Sequence, residues 1–280
     1  MATVDIPSIP AGTWLVAIVG ETGSGKSAWA MELALANRGE IIAADSRTVY
    51  RAMDIGTAKP SSADRAEVPH HLLDVVNPDE SFNVANFKRL ATAAILDIQN
   101  RGKLPFLVGG TGLYVDAVLY DFDFREPADP KQRAELERLS VEELQSRIKD
   151  AGWELPANKQ NPRHLIRVLE TGGAASVKKP LPPNTLVFGL SPDRDTLKKR
   201  LIKRTQQMIN DGLVEETQQL AQKYGWKIEA MQTPAYTAIH QYLGKKISLD
   251  EAQRQIVQAD LQLAKRQRTW FKRNSDIHWL

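Results

Sequence analysis

The chain contains no cysteine, which excludes a disulfide framework, a thiolate metal site and a cysteine nucleophile. No apolar run approaches the length of a membrane span, and no basic segment leads into an apolar signal at the N-terminus. The cytoplasm is the expected place, with no membrane partner. Internal repeats and low-complexity tracts are also missing. No sign of charge dominates, since 37 Lys and Arg stand against 34 Asp and Glu for a net charge of +3. The distribution is uneven, because sixteen of the basic and ten of the acidic residues fall in 191–280. That basic C-terminal third suits an anion-facing surface. At 280 residues the chain exceeds the usual single-domain size, so a core with an insertion is expected.

What is present is organised around one stretch. Gly20, Glu21, Thr22, Gly23, Ser24, Gly25, Lys26 and Ser27 match the P-loop pattern G-x-x-x-x-G-K-[ST] without a mismatch. An apolar run over 14–19 precedes them and a helical pattern over 28–36 follows, so the order is strand, glycine-rich turn, helix. Glycines let successive backbone N–H groups point inward at phosphate oxygens. The helix adds its unsatisfied N–H groups and positive dipole end. Lys26 supplies a mobile charge, and the Ser27 hydroxyl is placed to hold Mg2+. These residues specify a polyphosphate group, and leave the rest of the ligand and the reaction open.

A second short strand over 40–44 ends at Asp45 and Ser46. A carboxylate at the carboxyl end of a strand beside the P-loop strand points into the ligand crevice of an open α/β sheet. Asp45 therefore has three readings: a water-mediated Mg2+ ligand, a general base, or a turn or capping residue. Residues 53–60 form a loop rich in hydrogen-bonding groups. His70 and His71 precede a predicted strand over 72–76. As neighbours on an extended chain they face opposite sides, which argues against a shared metal. A helix is predicted over 82–99 with Ser81 as its cap. The strand over 104–108 runs into Gly109, Gly110, Thr111 and Gly112. The glycines allow close backbone approach to something bound, and Thr111 offers a hydroxyl. No acidic residue stands here where a Walker B aspartate would, which counts against a standard ATP hydrolase.

Residues 121–183 are charged, helix-prone and bounded by prolines. They read as a helical insertion, with helices over 141–149 and 161–170, into an α/β core made of 1–120 and 184–280. The chain returns as a strand over 185–190. An amphipathic helix over 195–209 then places Leu197, Leu201, Thr205 and Met208 on one face. Arg200 and Arg204 share another face, either closing over a diphosphate or simply solvated. Ser248 and Glu251 match a capping box that opens a long helix with apolar positions at Leu249, Ala252, Ile256, Ala259, Leu263 and Trp270. Arg254, Gln258, Lys265, Arg268 and Lys272 form a basic-polar stripe, suited to a nucleic-acid backbone or to water. Residues 276–280 read as a last strand.

Several of these motifs occur together in one order: 20–27, Asp45-Ser46, Met-Asp-Ile-Gly-Thr-Ala-Lys-Pro over 53–60, Pro-His-His-Leu-Leu-Asp over 69–74, Leu-Val-Gly-Gly-Thr-Gly-Leu-Tyr over 107–114, and Leu-Ala-Lys-Arg-Gln-Arg-Thr-Trp-Phe over 263–271. In this the chain resembles the tRNA dimethylallyltransferases, the bacterial tRNA isopentenyltransferase family, over nearly its whole length from Leu15. The octapeptide over 53–60 is far more specific than the P-loop. The resemblance implies a P-loop NTPase-like fold, a parallel sheet flanked by helices, that grips dimethylallyl diphosphate with Mg2+ at Ser27. The implied acceptor is N6 of the adenosine just 3′ of the tRNA anticodon, position 37. Asp45 would take its proton, Thr111 would hold the amine or the bridging oxygen, and Arg204 and Lys26 would stabilise the departing diphosphate. Family contacts to the tRNA anticodon stem-loop correspond to Asp45, Ser46, Arg47 and Thr48, to Thr111, to Arg133, to Arg163, His164, Leu165, Ile166 and Arg167, and to Gln232, Thr233, Ala235 and Tyr236. The family's Gln-Arg stands here as Arg163-His164, and its Gly-Tyr as Ala235-Tyr236. The insertion is short. A monomer is expected.

Two other classes remain in view on the residues alone. One is a P-loop small-molecule kinase with ATP as donor and Asp45 activating a hydroxyl. The other is a catalytically silent RNA-binding relative, against which the intact Lys26, Ser27, Asp45 and Thr111 stand.

Overall fold

The computed structural model describes residues 7–122, 129–174 and 178–280. The chain divides into two compact units, Met1–Leu119 with Leu181–Leu280, and Tyr120–Pro180.

The first unit is an α/β layer structure. Among the described residues its sheet has six strands, all parallel: β1 (Leu15–Gly20), β2 (Gly39–Ala43), β3 (His70–His71), β4 (Leu104–Gly109), β5 (Thr185–Leu190) and β6 (His278–Trp279) in the order β3-β2-β4-β1-β5-β6. β1 lies between β4 and β5, pairing Ile18 with Val108 and with Phe188. Every residue of β1 is buried, which explains why this strand reads as a continuous apolar run without alternation. Helix α1 (Lys26–Ala36) follows β1 and packs Trp29, Ala30, Leu33 and Ala34 against Val16, Ile18, Ile41, Phe106 and Phe188.

Helix α2 (Ser62–Glu67) leads into β3. The strand predicted over 72–76 is absent; the two histidines themselves form β3 instead. Leu72 and Asp74 have φ of 64° and 56°, and such left-handed residues end a strand. Helix α3 (Val84–Asn100) is capped by Asn83 in a reciprocal capping box with Asn86 rather than by Ser81. Helix α4 (Gly112–Leu119) follows β4.

The second unit holds three short helices, α5 (Pro130–Leu136), α6 (Val141–Asp150) and α7 (Pro162–Glu170), around Leu136, Leu144, Ile148, Leu165 and Ile166. Asp129 caps α5, with Pro130 in its first turn, and Ser140 caps α6 in a capping box with Glu143.

The first unit resumes with β5, α8 (Arg194–Asn210), α9 (Leu213–Tyr224), a 3₁₀ turn at Glu229–Met231, α10 (Pro234–Leu243) and α11 (Leu249–Phe271). These helices and residues 49–53 share a second core containing Tyr50, Met53, Met208, Leu213, Tyr236, Ile239 and Ile256. Two readings of α11 change. Ser248 accepts from Glu251 N–H, while the Glu251 carboxylate turns to Arg254 instead of closing the box. Trp270 is 41% exposed and Phe271 takes the buried place.

Candidate active site

The carboxyl ends of β1, β2 and β4 meet the turn that opens α1. Gly25 caps that helix at φ 96°, a left-handed conformation that glycine adopts without steric cost. Not every P-loop amide faces a ligand. Thr22 N–H donates to Gln267 Oε1 at 2.8 Å, and Ser24 N–H donates to the Glu21 carbonyl at 3.1 Å. The amides at the start of α1, from Gly25 to Ser27, are left to meet an anion. The Glu21 side chain is fully buried and bound by Arg268.

A cavity of about 390 Å³ opens beside this turn. Thr22, Lys26, Ser27, Asp45, Thr48 and Arg204 are among its polar lining residues, and Ala28, Met31, Ile41, Leu73 and Val108 among its apolar ones. Burial pulls the Lys26 ammonium down to about 8, although Asp45 works in the opposite direction. A second, smaller cavity of about 110 Å³ is lined by Gly56, Met208, Thr233, Ala235, Ile256 and Leu263 among others. Thr22, Asp45, Thr57, Ala58 and Arg204 line both cavities. Buried Thr48 Oγ1 and Arg204 Nε, on the first cavity, and Thr233 Oγ1, on the second, lack a hydrogen-bond partner among the described residues. Buried polar atoms are ordinarily paired with protein or ordered water, so water or a polar ligand would complete these three.

Asp45 is a turn residue whose side chain reaches the cavities. Its Oδ1 accepts from Arg47 N–H at 2.8 Å, as a turn residue does, and the side chain still lines both cavities. Thr111 Oγ1 accepts from Ser46 N–H at 3.1 Å, so it braces the loop that carries Asp45. Arg204 is not on a solvated face. It donates to Thr22 Oγ1 at 2.9 Å and pairs with Asp260 at 2.6 Å. Arg200 likewise reaches the Ser24 carbonyl at 2.7 Å.

The glycines at the end of β4 and just after it serve the protein's own packing. A Cβ at Gly109 would stand 2.0 Å from the Ala44 carbonyl, one at Gly110 would strike Gln267, and one at Gly112 would strike Trp270. The loop over 53–60 is anchored twice. Lys59, with a side chain only 1% exposed, binds Asp54 and Asp74, and Glu216 receives the amides of residues 54–56. Burial pushes the Asp74 carboxyl up, but Lys59 and Arg65 outweigh it and hold that group below the usual carboxylate range.

The remaining predicted contacts are dispersed. In the second unit, Arg163 and His164 are exposed, while Arg133 and Arg167 both pair with Glu170. Leu165 and Ile166 are core residues, so their side chains are not available to RNA. Tyr236 is fully buried with its hydroxyl on Glu216, Ala235 and Thr233 line the smaller cavity, and Gln232 is exposed and bonds the Trp226 carbonyl.

Four residues that sequence reasoning missed hold this site: Glu216, Asp260, Gln267 and Arg268. The last three lie on one face of α11 together with the buried Ala264 and Phe271, at spacings of three, four and seven that a helix brings together. That periodicity was the available signal. It removes Arg268 from the outer basic stripe, which keeps Gln258, Lys265 and Lys272 exposed.

A Mg2+ ion needs few protein ligands, because it commonly uses one or two protein oxygens with phosphate oxygens and water. The Ser27 hydroxyl at the exposed first turn of α1 and the Asp45 carboxylate in the same cavity fit that pattern. Among the described residues no cluster of three or more His, Asp or Glu offers an alternative.

A family model described as IPP transferase matches residues 48–274. The chain is 42% identical over 279 residues to tRNA dimethylallyltransferase 1 of Citrifermentans bemidjiense, across 95% of this chain and 91% of that protein. It is 40% identical over 282 residues to the tRNA dimethylallyltransferase of Pelotomaculum thermopropionicum, across 95% and 90%. The crystal structure of the full-length tRNA isopentenylpyrophosphate transferase of Bacillus halodurans superposes with a TM-score of 0.73 at 38% identity, covering 95% of this chain and 89% of that one. A eukaryotic dimethylallyltransferase captured acting on tRNA gives a TM-score of 0.80 at 26% identity, covering 95% and 73%. With the octapeptide over 53–60 anchored at the cavity and the P-loop turn beside it, the chain belongs to the IPP transferase family.

Proposed function

We propose that this protein transfers the dimethylallyl group of dimethylallyl diphosphate to N6 of adenosine 37 in tRNAs that read codons beginning with U, releasing diphosphate and leaving N6-isopentenyladenosine. The observation that carries this reading is the pair of adjoining cavities with Asp45 and Arg204 in the walls of both. A two-substrate transfer of this kind needs a proton-accepting group and a leaving-group stabiliser where the substrates meet.

The larger cavity takes the allylic diphosphate. Its apolar lining suits the five-carbon chain, and Lys26, the α1 N-terminus and Arg204 suit the anion. The smaller cavity takes the edge of an adenine that has left the anticodon-loop stack, as base-modifying enzymes require. The N6 nitrogen attacks the allylic carbon, the carbon–oxygen bond to diphosphate breaks, and the N6 proton passes to Asp45. The exocyclic amine is a poor nucleophile because its lone pair is delocalised into the ring, so loss of that proton has to accompany bond formation. Arg204 and Lys26 stabilise charge growing on the leaving diphosphate. Mg2+ held by Ser27 would add Lewis-acid neutralisation of the same charge, which leaves Asp45 free to act as the base.

The helical unit, Tyr120–Pro180, grips the anticodon stem-loop through exposed Arg163 and His164, by shape and phosphate contact. The protein works as a cytoplasmic monomer; no described helix is long and apolar enough to cross a membrane. The test is incubation with labelled dimethylallyl diphosphate and unmodified tRNA. Label on the tRNA is expected. A shifted but unlabelled tRNA would mean a binding protein, and stabilisation by ATP–Mg above that by dimethylallyl diphosphate–Mg would mean a kinase.

A further inference from the structure

Glu216 stands in the first turn of α9 and engages both of its carboxylate oxygens. Oε2 accepts from Asp54 N–H at 2.9 Å and from Ile55 N–H at 2.8 Å, and Oε1 accepts from Gly56 N–H at 2.8 Å and from the Tyr236 hydroxyl at 2.7 Å. The four donors come from two separate segments. Residues 54–56 belong to the octapeptide loop, and Tyr236 belongs to α10, whose first turn carries Ala235. Gly56 and Ala235 both line the smaller cavity, with Thr233 at the cap of α10. The fit is close: a Cβ at Gly56 would stand 2.4 Å from the Tyr236 ring. Burial and the neighbouring carboxylate hold the Tyr236 hydroxyl well above the ordinary phenol range, so it remains a donor.

We propose that Glu216 is a positioning residue for the acceptor nucleoside, fixing the width of the smaller cavity by clamping the 54–56 backbone to Tyr236. This rests on the reading of that cavity as the seat of the adenine. The octapeptide has a separate anchor toward the larger cavity, where Lys59 binds Asp54, Asp74 and the Tyr50 carbonyl. Loss of Glu216 therefore loosens the acceptor side and spares the diphosphate side. Glutamine cannot replace it. A side-chain amide has one acceptor oxygen, so its NH2 group would face backbone N–H donors, and a buried donor without an acceptor is costly.

The experiment measures transfer to an unmodified anticodon stem-loop by wild type, E216Q, Y236F and the double variant, together with the Kd of dimethylallyl diphosphate by calorimetry. For E216Q the expected result is a stem-loop KM raised about tenfold or more, with the dimethylallyl diphosphate Kd within about twofold of wild type. Y236F should raise the same KM less, and its effect on top of E216Q should be smaller than its effect alone, because both changes weaken the same clamp. An unmoved KM in E216Q overturns the assignment, as does equal weakening of both substrates, which is what a general loss of structure produces. If E216Q does not fold, Y236F decides alone: a raised stem-loop KM at unchanged Kd supports the clamp, and an unchanged KM overturns it. Wild-type protein that leaves the stem-loop unlabelled overturns the functional reading and this assignment together.

Discussion

Arg268, near the end of α11, binds the buried carboxylate of Glu21 in the P-loop through Nε at 3.1 Å and through Nη2. The two residues are 247 positions apart. The Glu21 side chain is fully buried, and Arg268 also donates to the Pro192 carbonyl at 2.7 Å. Beside it, Gln267 takes Thr22 N–H on one atom and gives a hydrogen bond to the Gly110 carbonyl at 2.9 Å with the other. The shape of the phosphate turn is therefore held from the far end of the chain.

Replacing Arg268 by alanine leaves a buried carboxylate without its counter-charge. Breaking a buried pair from one side costs about 3–5 kcal/mol, so the denaturant midpoint of R268A should fall accordingly. R268K should recover only part, because an ammonium cannot reproduce the planar fork. An unchanged midpoint in R268A would show that Glu21 is satisfied without the pair.

Asp45→Asn retains an oxygen for Arg47 N–H, so the loop after β2 should keep its conformation. Transfer should nevertheless fall by about 10²–10⁴, the usual loss when a general base is removed. Binding of dimethylallyl diphosphate and of the stem-loop should persist. Single-turnover rates within threefold of wild type would remove Asp45 from the proton transfer.

Arg204→Ala should weaken diphosphate binding or slow transfer, because it removes a cation shared by both cavities. Asp260→Ala should act in the same direction and less strongly, by releasing the Arg204 side chain it holds at 2.6 Å. Steady-state kinetics on both variants check this, and normal kinetics for R204A would leave Arg204 a structural role at Thr22.

Lys26 carries a pH signature. Its pKa in the free protein lies at about 8 against 10.5 for an ordinary lysine. Between those values the unfolded chain holds more protons than the folded one, so stability of the free protein should rise with pH through that window. Diphosphate binding should behave oppositely. The bound anion restores the charge, so binding above about pH 8 takes up a proton and affinity falls as pH rises. Calorimetry in buffers of different ionisation heat measures the uptake. Lys26→Met should raise the melting temperature of the free protein at neutral pH while abolishing its stabilisation by the diphosphate; a melting temperature that falls would argue against a buried charge at this place.

The sheet was legible wherever burial on both faces makes a continuous apolar run, as in β1, β4 and β5. It was misread at 72–76, because Leu72 and Asp74 sit in left-handed conformations that composition does not disclose. Helix α3 had an equally plausible cap at Ser81, and only the reciprocal bonds between Asn83 and Asn86 decide its start. In the site, Lys26, Ser27 and Asp45 announced themselves through motif and strand end. Glu216 did not, since a Glu on an amphipathic helix looks the same whether it meets water or a backbone amide from elsewhere in the chain.

By itself the sequence determined the local chemistry: a phosphate turn, a carboxylate one strand away, an octapeptide specific to a family, and helices of set phase. Those features depend on neighbours within a few residues, where backbone sterics and hydrophobic period act. Only the tertiary structure decided which of these groups are free to meet a substrate. Whether Arg268 pairs with Glu21 or faces solvent, whether Gly109 at the end of β4 admits a ligand or the Ala44 carbonyl, and whether Leu165 touches RNA or core are settled by long-range packing. A polar atom goes to whichever partner folding brings within bonding distance, and that partner can lie anywhere in the chain.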